Sequence, residues 1–550
     1  METHPKGTRA RVLLTSVFGP FAQDDEFGSR SINPMELYHN QVTRAQGSFS
    51  IRMFHRSWGI MMIQANISAP CAVLDFPKLE DFARELTENY YDIVGISSIV
   101  VNIGKVKKMC RMVRELSPRS VIVVGGHVTA IPGIEELIEA DHIVRGEGIS
   151  WMRRYLGEEE RAAPLRHPAI VSGLQTRVMG IRLPQRKGGT AATLIPSVGC
   201  PMGCNFCTTS AFFGGKGNFV NFYKSGDELF DVMCQIEAEL KVDSFFVMDE
   251  NFLLYRPRAK RLLERMKAAG KSWELSVFSS ANAIRKYSMQ ELVELGVSWV
   301  WLGLESPRST YAKLQGTDTR QLTQELRENG IRVQGSTIIG LEHHTPENMN
   351  EEIEHAVCHQ TDFHQFMLYT PVPGTPLHKE MAEQGRILQD IDLADVHGQY
   401  KFNFVHPAIA RDDSKKFLDR AFRRDFVVNG PSLYRMAQTM FWGWQRYKDY
   451  PDWRVRERFA RQMKKVSTGY SAALWAMERE FGKVNRAVGE QIRSLRREIE
   501  REFPVVARLA AALLGPVMLW TTRQEEKRLA AGCTYEPPTI LQRTNWVATT

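Results

Sequence analysis

Read only for apolar and polar positions, the chain changes its pattern twice. From Arg11 to about Leu156, short continuous apolar runs alternate with amphipathic stretches. RVLLTSV, CAVLDF, DIVGISSIV and SVIVVGG have strand length and many β-branched residues, which predicts strands buried on both faces. KLEDFARELTENY and GKVKKMCRMVREL repeat apolar residues every three or four positions, so helices are expected between those strands. Together they predict a Rossmann-like, doubly wound sheet over 1–156, with ligands at the carboxyl ends of its strands.

Over residues 157–190 charge, proline and glycine mix without a sustained period, and a linker is expected. The alternation then restarts with six strands, TLIPSVG, SFFVMDE, WELSVFS, SWVWLGLE, RVQGSTIIG and HQFMLYT, separated by helical stretches. Six consecutive units predict a parallel (βα)6 partial TIM barrel over 191–405, with its chemistry on the loops that follow the strands. Beyond about His406 long helical patterns dominate, so a helical C-terminal domain is expected over 406–530 and an extended tail over 531–550. The fold class is α/β with a helical C-terminal domain.

At 550 residues, with 43% apolar and 24% charged residues, the composition is that of a globular chain of several domains. The N-terminus lacks a cleavage-site pattern, and eight cysteines without regular pairing do not suggest a disulfide framework. A cytoplasmic location is expected. The net charge of +8 is concentrated at the C-terminal end, where Arg411 to Arg528 hold 26 Lys and Arg against 15 Asp and Glu. Acids are interleaved there and no RNA-binding motif appears, so solvated helix faces are expected rather than nucleic-acid binding. The most apolar window, Phe503 to Trp520, is shorter than the roughly 20 residues that span a bilayer and is interrupted by Arg508 and Pro516. No transmembrane span is expected; a core helix, a substrate cover and a helix lying on a membrane surface all stay open.

The chemistry is concentrated in PSVGCPMGCNFCTT, where Cys200, Cys204 and Cys207 follow the first strand of the second series. Structural zinc usually takes four Cys or His ligands, and no adjacent fourth is present. Three thiolates on a four-iron cluster leave one iron open to a small molecule, which points to a working site. Gly199 and Gly203 suit a loop that turns tightly around such a group. His355, His359 and Cys358 could share a second metal, but their acidic, amphipathic setting favours surface residues.

GCPMGCNFC, a CxxxCxxC with Phe206 before its last cysteine, resembles the signature of the radical S-adenosylmethionine (radical SAM) superfamily. VMDENF with Asp249 and Asn251, WLGLES with Glu305 and STIIGLE with Ile338 and Gly340 resemble that superfamily's cofactor rim. YTPVPGTPL, with Tyr369, Pro371, Pro373 and Gly374, resembles the substrate rim of its subgroup with an N-terminal cobalamin (vitamin B12)-binding domain. The resemblance implies a 4Fe-4S cluster on Cys200, Cys204 and Cys207, and S-adenosylmethionine (SAM) on the open iron. It implies Glu305 near the ribose or amino group of SAM, and Asp249 to Asn251 near its methionine portion. Their other reading is as strand-end caps.

Most of residues 11–156 is similar to the cobalamin module, with Ser97, Ser98, Gly125, Gly126, Gly146 and Glu147 as the implied cofactor contacts and His127 as a loop or pocket-lining residue. Cobalamin domains that ligate cobalt through histidine carry DxHxxG after the first strand, whereas VFGPFAQDDEFGSR has no histidine. A corrinoid bound without a protein histidine and an empty pocket both stay open. The implied reaction is cobalamin-dependent C-methylation of a small-molecule or lipid-like substrate, with an electron donor such as flavodoxin or ferredoxin. Cobalamin-independent coupling, cyclisation or rearrangement, and a non-catalytic corrinoid- or cluster-binding regulator, remain as alternatives.

Overall fold

The structure is a computed structural model; it describes residues 2–28, 32–158, 165–173, 177–182, 191–306, 308, 311, 313–314 and 316–546. The first apolar runs form the parallel strands β1 (Val12–Thr15), β2 (Cys71–Asp75), β3 (Ile93–Ser97), β4 (Val121–Gly125) and β5 (His142–Ile143). Their order is β2-β1-β3-β4-β5, reversing direction at β1. β1 to β3 are buried along nearly their whole length because helices cover both faces, which is why they read as unbroken apolar runs.

The second series forms β7 (Ala192–Leu194), β8 (Ser244–Val247), β9 (Glu274–Ser279), β10 (Val297–Gly303), β11 (Arg332–Ile339) and β12 (Phe363–Leu368). Each pairs in parallel with the next, and β12 does not pair with β7, so the barrel stays open. Helices Gly226–Leu240 and Met289–Leu295 begin with a serine whose hydroxyl accepts from the third helical NH while that residue's Glu bonds back.

Four segments differ from the expected domain plan. Of the expected linker 157–190, residues 159–164, 174–176 and 183–190 lie outside the described residues. The remainder is structural: β6 (Ile170–Val171) extends the barrel sheet antiparallel to β7, and Arg177–Val178 pairs with Ile51–Arg52. Residues 37–53, expected in the N-terminal unit, pack instead with the barrel and the C-terminal helices. Those helices do not form a separate body. Leu433, Ala437, Met440 and Phe441 join Tyr38 against Phe246, Trp299 and Phe363, filling the end of the barrel where its strands begin.

The basic residues of this region act largely as internal props. Arg458 donates to the Val293 carbonyl, Arg461 to the Ser272 carbonyl at 2.5 Å, and Arg435 grips Asp425 through two bonds of 2.8 and 3.0 Å. Buried arginine is tolerated because its planar fork finds several acceptors at once.

The fourth difference is the tail. Residues 540–544 form β13 (Ile540–Thr544), which joins the N-terminal sheet antiparallel to β2 and covers that edge. Tyr535 leads into it with its ring 4.0 Å from the Arg177 guanidinium and 4.6 Å from that of Arg52, while its hydroxyl donates to Glu525 at 2.6 Å. Residues 547–550 lie outside the described residues. Losing these contacts in Tyr535→Ala is expected to free the tail by about 2 kcal/mol, or roughly 30-fold faster amide exchange over Ile540–Thr544. Unchanged exchange there would show that Tyr535 does not hold it.

Candidate active site

The cysteine loop is built by steric exclusion. Ser197–Val198 pairs antiparallel with Val220–Asn221, so the chain from 199 to 219 leaves and returns at one point above β7. Gly199 and Gly203 have φ of +89° and +66°; a Cβ would lie 2.8 Å from Phe213 Cβ at the first and 2.5 Å from Lys216 Cβ at the second. Neither position admits a side chain. Cys207 caps helix Thr208–Phe212, its Sγ accepting from the Ser210 NH at 3.5 Å, and Ser210 Oγ donates to the Cys200 carbonyl at 2.7 Å.

All three thiols line one cavity of about 730 Å³. Burial raises their pKa values, that of Cys200 to about 11, and mutual repulsion adds to it. Such a set ionises readily only against a bound cation. Among the described residues the one trio of ligand atoms within 4.8 Å is His343, His344 and Glu352, so the three sulfurs are spread wider than that. Sulfurs on one zinc stand about 3.8 Å apart, from a tetrahedron with Zn–S near 2.3 Å. The donor set therefore fits a multi-iron cluster better than zinc.

Neither histidine group offers a second metal site. His344 Nδ1 accepts from the Gly340 and Leu341 NH groups at 3.0 and 3.3 Å, so its proton sits on Nε2, the atom that faces Glu352. His359 uses Nδ1 on the His355 carbonyl and Nε2 on Thr319 Oγ1, and Cys358 is exposed.

Glu305, on the loop after β10, has φ +47° and pairs with Lys313. Burial by itself lowers the Lys313 pKa, but Glu305 and Cys204 outweigh it and hold the ammonium above its usual value. Lys313 also stands 5.3 Å from the Phe206 ring. Glu305 Oε2 is buried and has no hydrogen-bond partner. An orphaned acceptor beside the cysteines fits the ammonium or hydroxyl of a bound cofactor.

The other rim residues divide. Asn251, Ile338 and Tyr369 line the cavity. Asn251 Oδ1 accepts from the Ser280 NH at 3.2 Å and ties β8 to β9. Asp249 is turned inward, accepting from Ser197 Oγ at 2.5 Å and from Arg258. Gly340 is required by Phe402, whose ring would lie 2.2 Å from a Cβ there. Pro371, Pro373 and Gly374 lie off the cavity wall; Gly374 packs on Ala130 of the N-terminal unit, where a Cβ would come within 2.5 Å of the alanine Cβ. Val372 enters the N-terminal core. This segment seats one unit on the other.

A second cavity, about 440 Å³, lies at the carboxyl ends of β1, β3 and β4, lined by Ser97, Ser98, Gly125, Gly126, His127, Gly146 and Glu147. Gly126 is required by close approach, since a Cβ would lie 2.5 Å from the Ser98 carbonyl oxygen. At Gly125 and Gly146 a Cβ would meet nothing within 4 Å, so these two keep space open. Ser98 Oγ and Trp58 Nε1 are buried without partners. Glu147 caps helix Gly148–Tyr155 through the Ile149 and Ser150 NH groups. Open glycines and orphaned polar atoms fit a large cofactor with a hydrogen-bonding tail.

The two cavities share Ile99, His127, Thr209 and Glu250. His127 packs tilted against Phe212, ring centroids 4.6 Å apart, and burial lowers its pKa to about 4, leaving it neutral. Burial pushes Glu250 up to about 8. Reasoning from sequence missed Lys313 and Glu250. Glu250 stood between two named residues, just past the end of β8, where Asp249 turns inward to Arg258 and Glu250 lines both cavities. An aromatic and polar wall of the larger cavity was also missed. Phe278 and Trp301 stack at 4.8 Å, and Trp301 Nε1 donates to Ser336 Oγ at 2.6 Å, which in turn donates to Gln365 Oε1 at 3.3 Å.

Comparison with known proteins agrees with this geometry. The family model described as Radical SAM superfamily matches residues 194–356, and the one described as B12 binding domain matches 51–155. The chain is 24% identical over 421 residues to the anaerobic magnesium-protoporphyrin IX monomethyl ester cyclase of Cereibacter sphaeroides, covering 67% of this chain and 64% of that protein. It is 28% identical over 203 residues to the bacteriochlorophyllide d C-12(1)-methyltransferase of Chlorobaculum tepidum, covering 35% of this chain and 43% of that protein. It thus spans less than two thirds of either relative. The fold is that of the radical S-adenosylmethionine methyltransferase TsrM from Kitasatospora setae, solved with cobalamin and a 4Fe-4S cluster bound. That match has a TM-score of 0.51 at 16% identity and covers 82% of this chain and 99% of that one.

Gly203→Ala is expected to cut bound iron at least twofold with all cysteines intact, because strain of about 1–3 kcal/mol adds to the clash with Lys216. Gly215→Ala in the same loop, φ +75° with open space around it, is the control and should lose less. Equal iron in the Gly203 variant and the wild type would refute the steric account.

Proposed function

We infer that this chain, a radical SAM protein carrying a B12-binding domain, methylates an unactivated carbon of an uncharged, largely apolar substrate. One observation carries the reading: the cavity holding the three thiols and the cavity of the N-terminal sheet share a wall of four residues. A methyl carrier in one and a hydrogen-abstracting centre in the other would then face the same substrate carbon. Held in these cavities, a 4Fe-4S cluster with SAM would supply a carbon radical, and cobalamin a transferable methyl group.

The residues have separate tasks. Cys200, Cys204 and Cys207 would hold the cluster and leave it open to SAM. Glu305, paired with Lys313, would take the SAM amino or ribose group on its unpartnered oxygen, and Asn251 fixes the rim beside it. Ser97 and Ser98 would hold the corrinoid tail, and Gly125 and Gly146 leave it room. The corrinoid would be held without a histidine from the loop after β1; His127, neutral and tilted against Phe212, lines the shared wall. Burial pushes Glu250 up to about 8, so the wall between the two cavities would favour the uncharged carboxyl that a transferable methyl group requires of its surroundings.

The substrate rests on Phe278 and Trp301 and reads the neutral chain of Ser336, Gln365 and Gln41. Among the described residues the one Lys or Arg on this cavity is Lys313, already paired with Glu305, which favours a neutral small-molecule or lipid-like substrate. Turnover requires a low-potential electron donor such as flavodoxin or ferredoxin. Eight free cysteines suit a reducing cytoplasm. Membrane-surface contact through the C-terminal helices belongs to the same reading.

Anaerobic purification with cobalamin supplied should give stoichiometric corrinoid and, with SAM and reductant, 5′-deoxyadenosine. Replacing Cys200, Cys204 and Cys207 together by Ala should abolish the nucleoside and the iron. Gly125→Phe should abolish corrinoid binding alone. Zinc in the cysteine loop, or full iron without the three thiols, would refute the enzyme; 5′-deoxyadenosine from protein that never takes up corrinoid would refute the methylation.

A further inference from the structure

Helix Pro504–Ala530 contains the largest exposed apolar face among the described residues. Its length of 27 residues and its composition are sufficient to cross a membrane. Its packing argues against crossing. Ala507, Ala510, Ala511, Gly515, Thr522 and Glu525 form a buried stripe along it. Gly515 sits so close to Trp475 that a Cβ would lie 2.8 Å from the indole. Glu525 is 4% exposed, accepts from Tyr535 and lies 4.0 Å from Arg52. Drawing the helix into hydrocarbon would strip that carboxylate of its partners. The helix is fixed lengthwise on the body of the protein.

Its outer face has no cover. Val505, Leu509, Leu513, Val517 and Trp520 are 54–68% exposed and recur every three or four residues, which makes them one stripe. From Pro504 to Trp520 the single charge is Arg508. The ends of the stripe are basic: Arg497 and Arg501 precede it and Lys527 follows it. These three and Arg508 are exposed, with no ion-pair partner among the described residues. Trp520 stands where the apolar band meets the basic end, the place an indole takes at a lipid headgroup layer.

We propose that this helix docks the enzyme flat on an anionic lipid surface. Val505, Leu509, Leu513, Val517 and Trp520 enter the acyl boundary, while Arg497, Arg501, Arg508 and Lys527 meet lipid phosphates. The charge distribution selects this occupant: a second copy laid on the same face would set arginine against arginine, whereas an anionic bilayer complements all four cations. The inference rests on the membrane-contact part of the proposed function and not on its methylation chemistry.

Full-length protein sedimented with vesicles tests it. Vesicles of phosphatidylcholine containing phosphatidylglycerol should bind the protein at least about tenfold more tightly than phosphatidylcholine alone, since each basic residue near an anionic surface contributes about fivefold. Leu509→Glu with Leu513→Glu should abolish binding, and Arg501→Gln with Lys527→Gln should weaken it by about tenfold or more. These side chains are exposed, so iron and corrinoid contents should match wild type and show the variants folded. Absent or equal binding to both vesicles, or binding unchanged by the glutamates, would overturn the proposal. So would a wild-type dimer in light scattering that the glutamates convert to monomer. Formation of 5′-deoxyadenosine reads the catalytic proposal independently of every one of these outcomes.

Discussion

The arrangement depends on how the N-terminal sheet seats over the open end of the barrel. One backbone contact, one apolar side chain and one ring pair set the spacing. Gly374 lies against Ala130 with no room for a Cβ, the Val372 side chain packs on the N-terminal core, and His127 lies tilted against Phe212 just beyond the last cysteine. Close packing without side chains between the backbones leaves little freedom for sliding. Each cavity already sits at the carboxyl edge of its own parallel sheet, the usual place for ligands in such folds. Seating the two edges face to face merges the sites. The shared wall of Ile99, His127, Thr209 and Glu250 follows from that docking.

Electrostatics inside the merged site follow one rule: charges are paired or neutralised before they reach the cavity. Lys313 is held by Glu305, Asp249 turns away to Arg258, burial raises Glu250 to about 8, and burial keeps His127 neutral. A region of low dielectric makes an unpaired charge expensive. Two buried carboxyl oxygens without a hydrogen-bond partner, Glu305 Oε2 and Glu250 Oε2, stand out against that background. The same rule explains the basic C-terminal composition. Much of it serves to cap carbonyls and carboxylates beneath the barrel, as Arg458, Arg461 and Arg435 do, rather than to bind a polyanion.

How much was legible in the sequence depends on whether a residue's role is local. Ten of the eleven main parallel strands could be read because burial on both faces leaves continuous apolar runs; β5, two half-buried residues, has no such run. The cysteine loop was legible because its ligands and its two obligatory glycines lie within nine residues. Lys313 was not, since its pairing with Glu305, eight residues away, belongs to no regular helix or strand period that the sequence displays. Pro371, Pro373 and Gly374 have the look of a site motif, yet their work is docking, and only the position of Ala130 reveals it. The tail had no periodicity to betray β13, because an edge strand with one exposed face needs few apolar residues.

The tail and the long apolar helix bear on each other. Tyr535 joins Glu525 of the helix to Arg52 and Arg177, and β13 then adds to the N-terminal sheet. The chain therefore ends by tying its outermost helix back to its first domain. Arg52 also donates to both oxygens of Glu36 at 2.7 Å, on the segment that supplies Gln41 to the wall of the larger cavity. Glu525, Arg52 and Glu36 thus form a line of buried ionic contacts that runs from the outermost helix to the segment lining that cavity, and burial makes breaking any one of them costly.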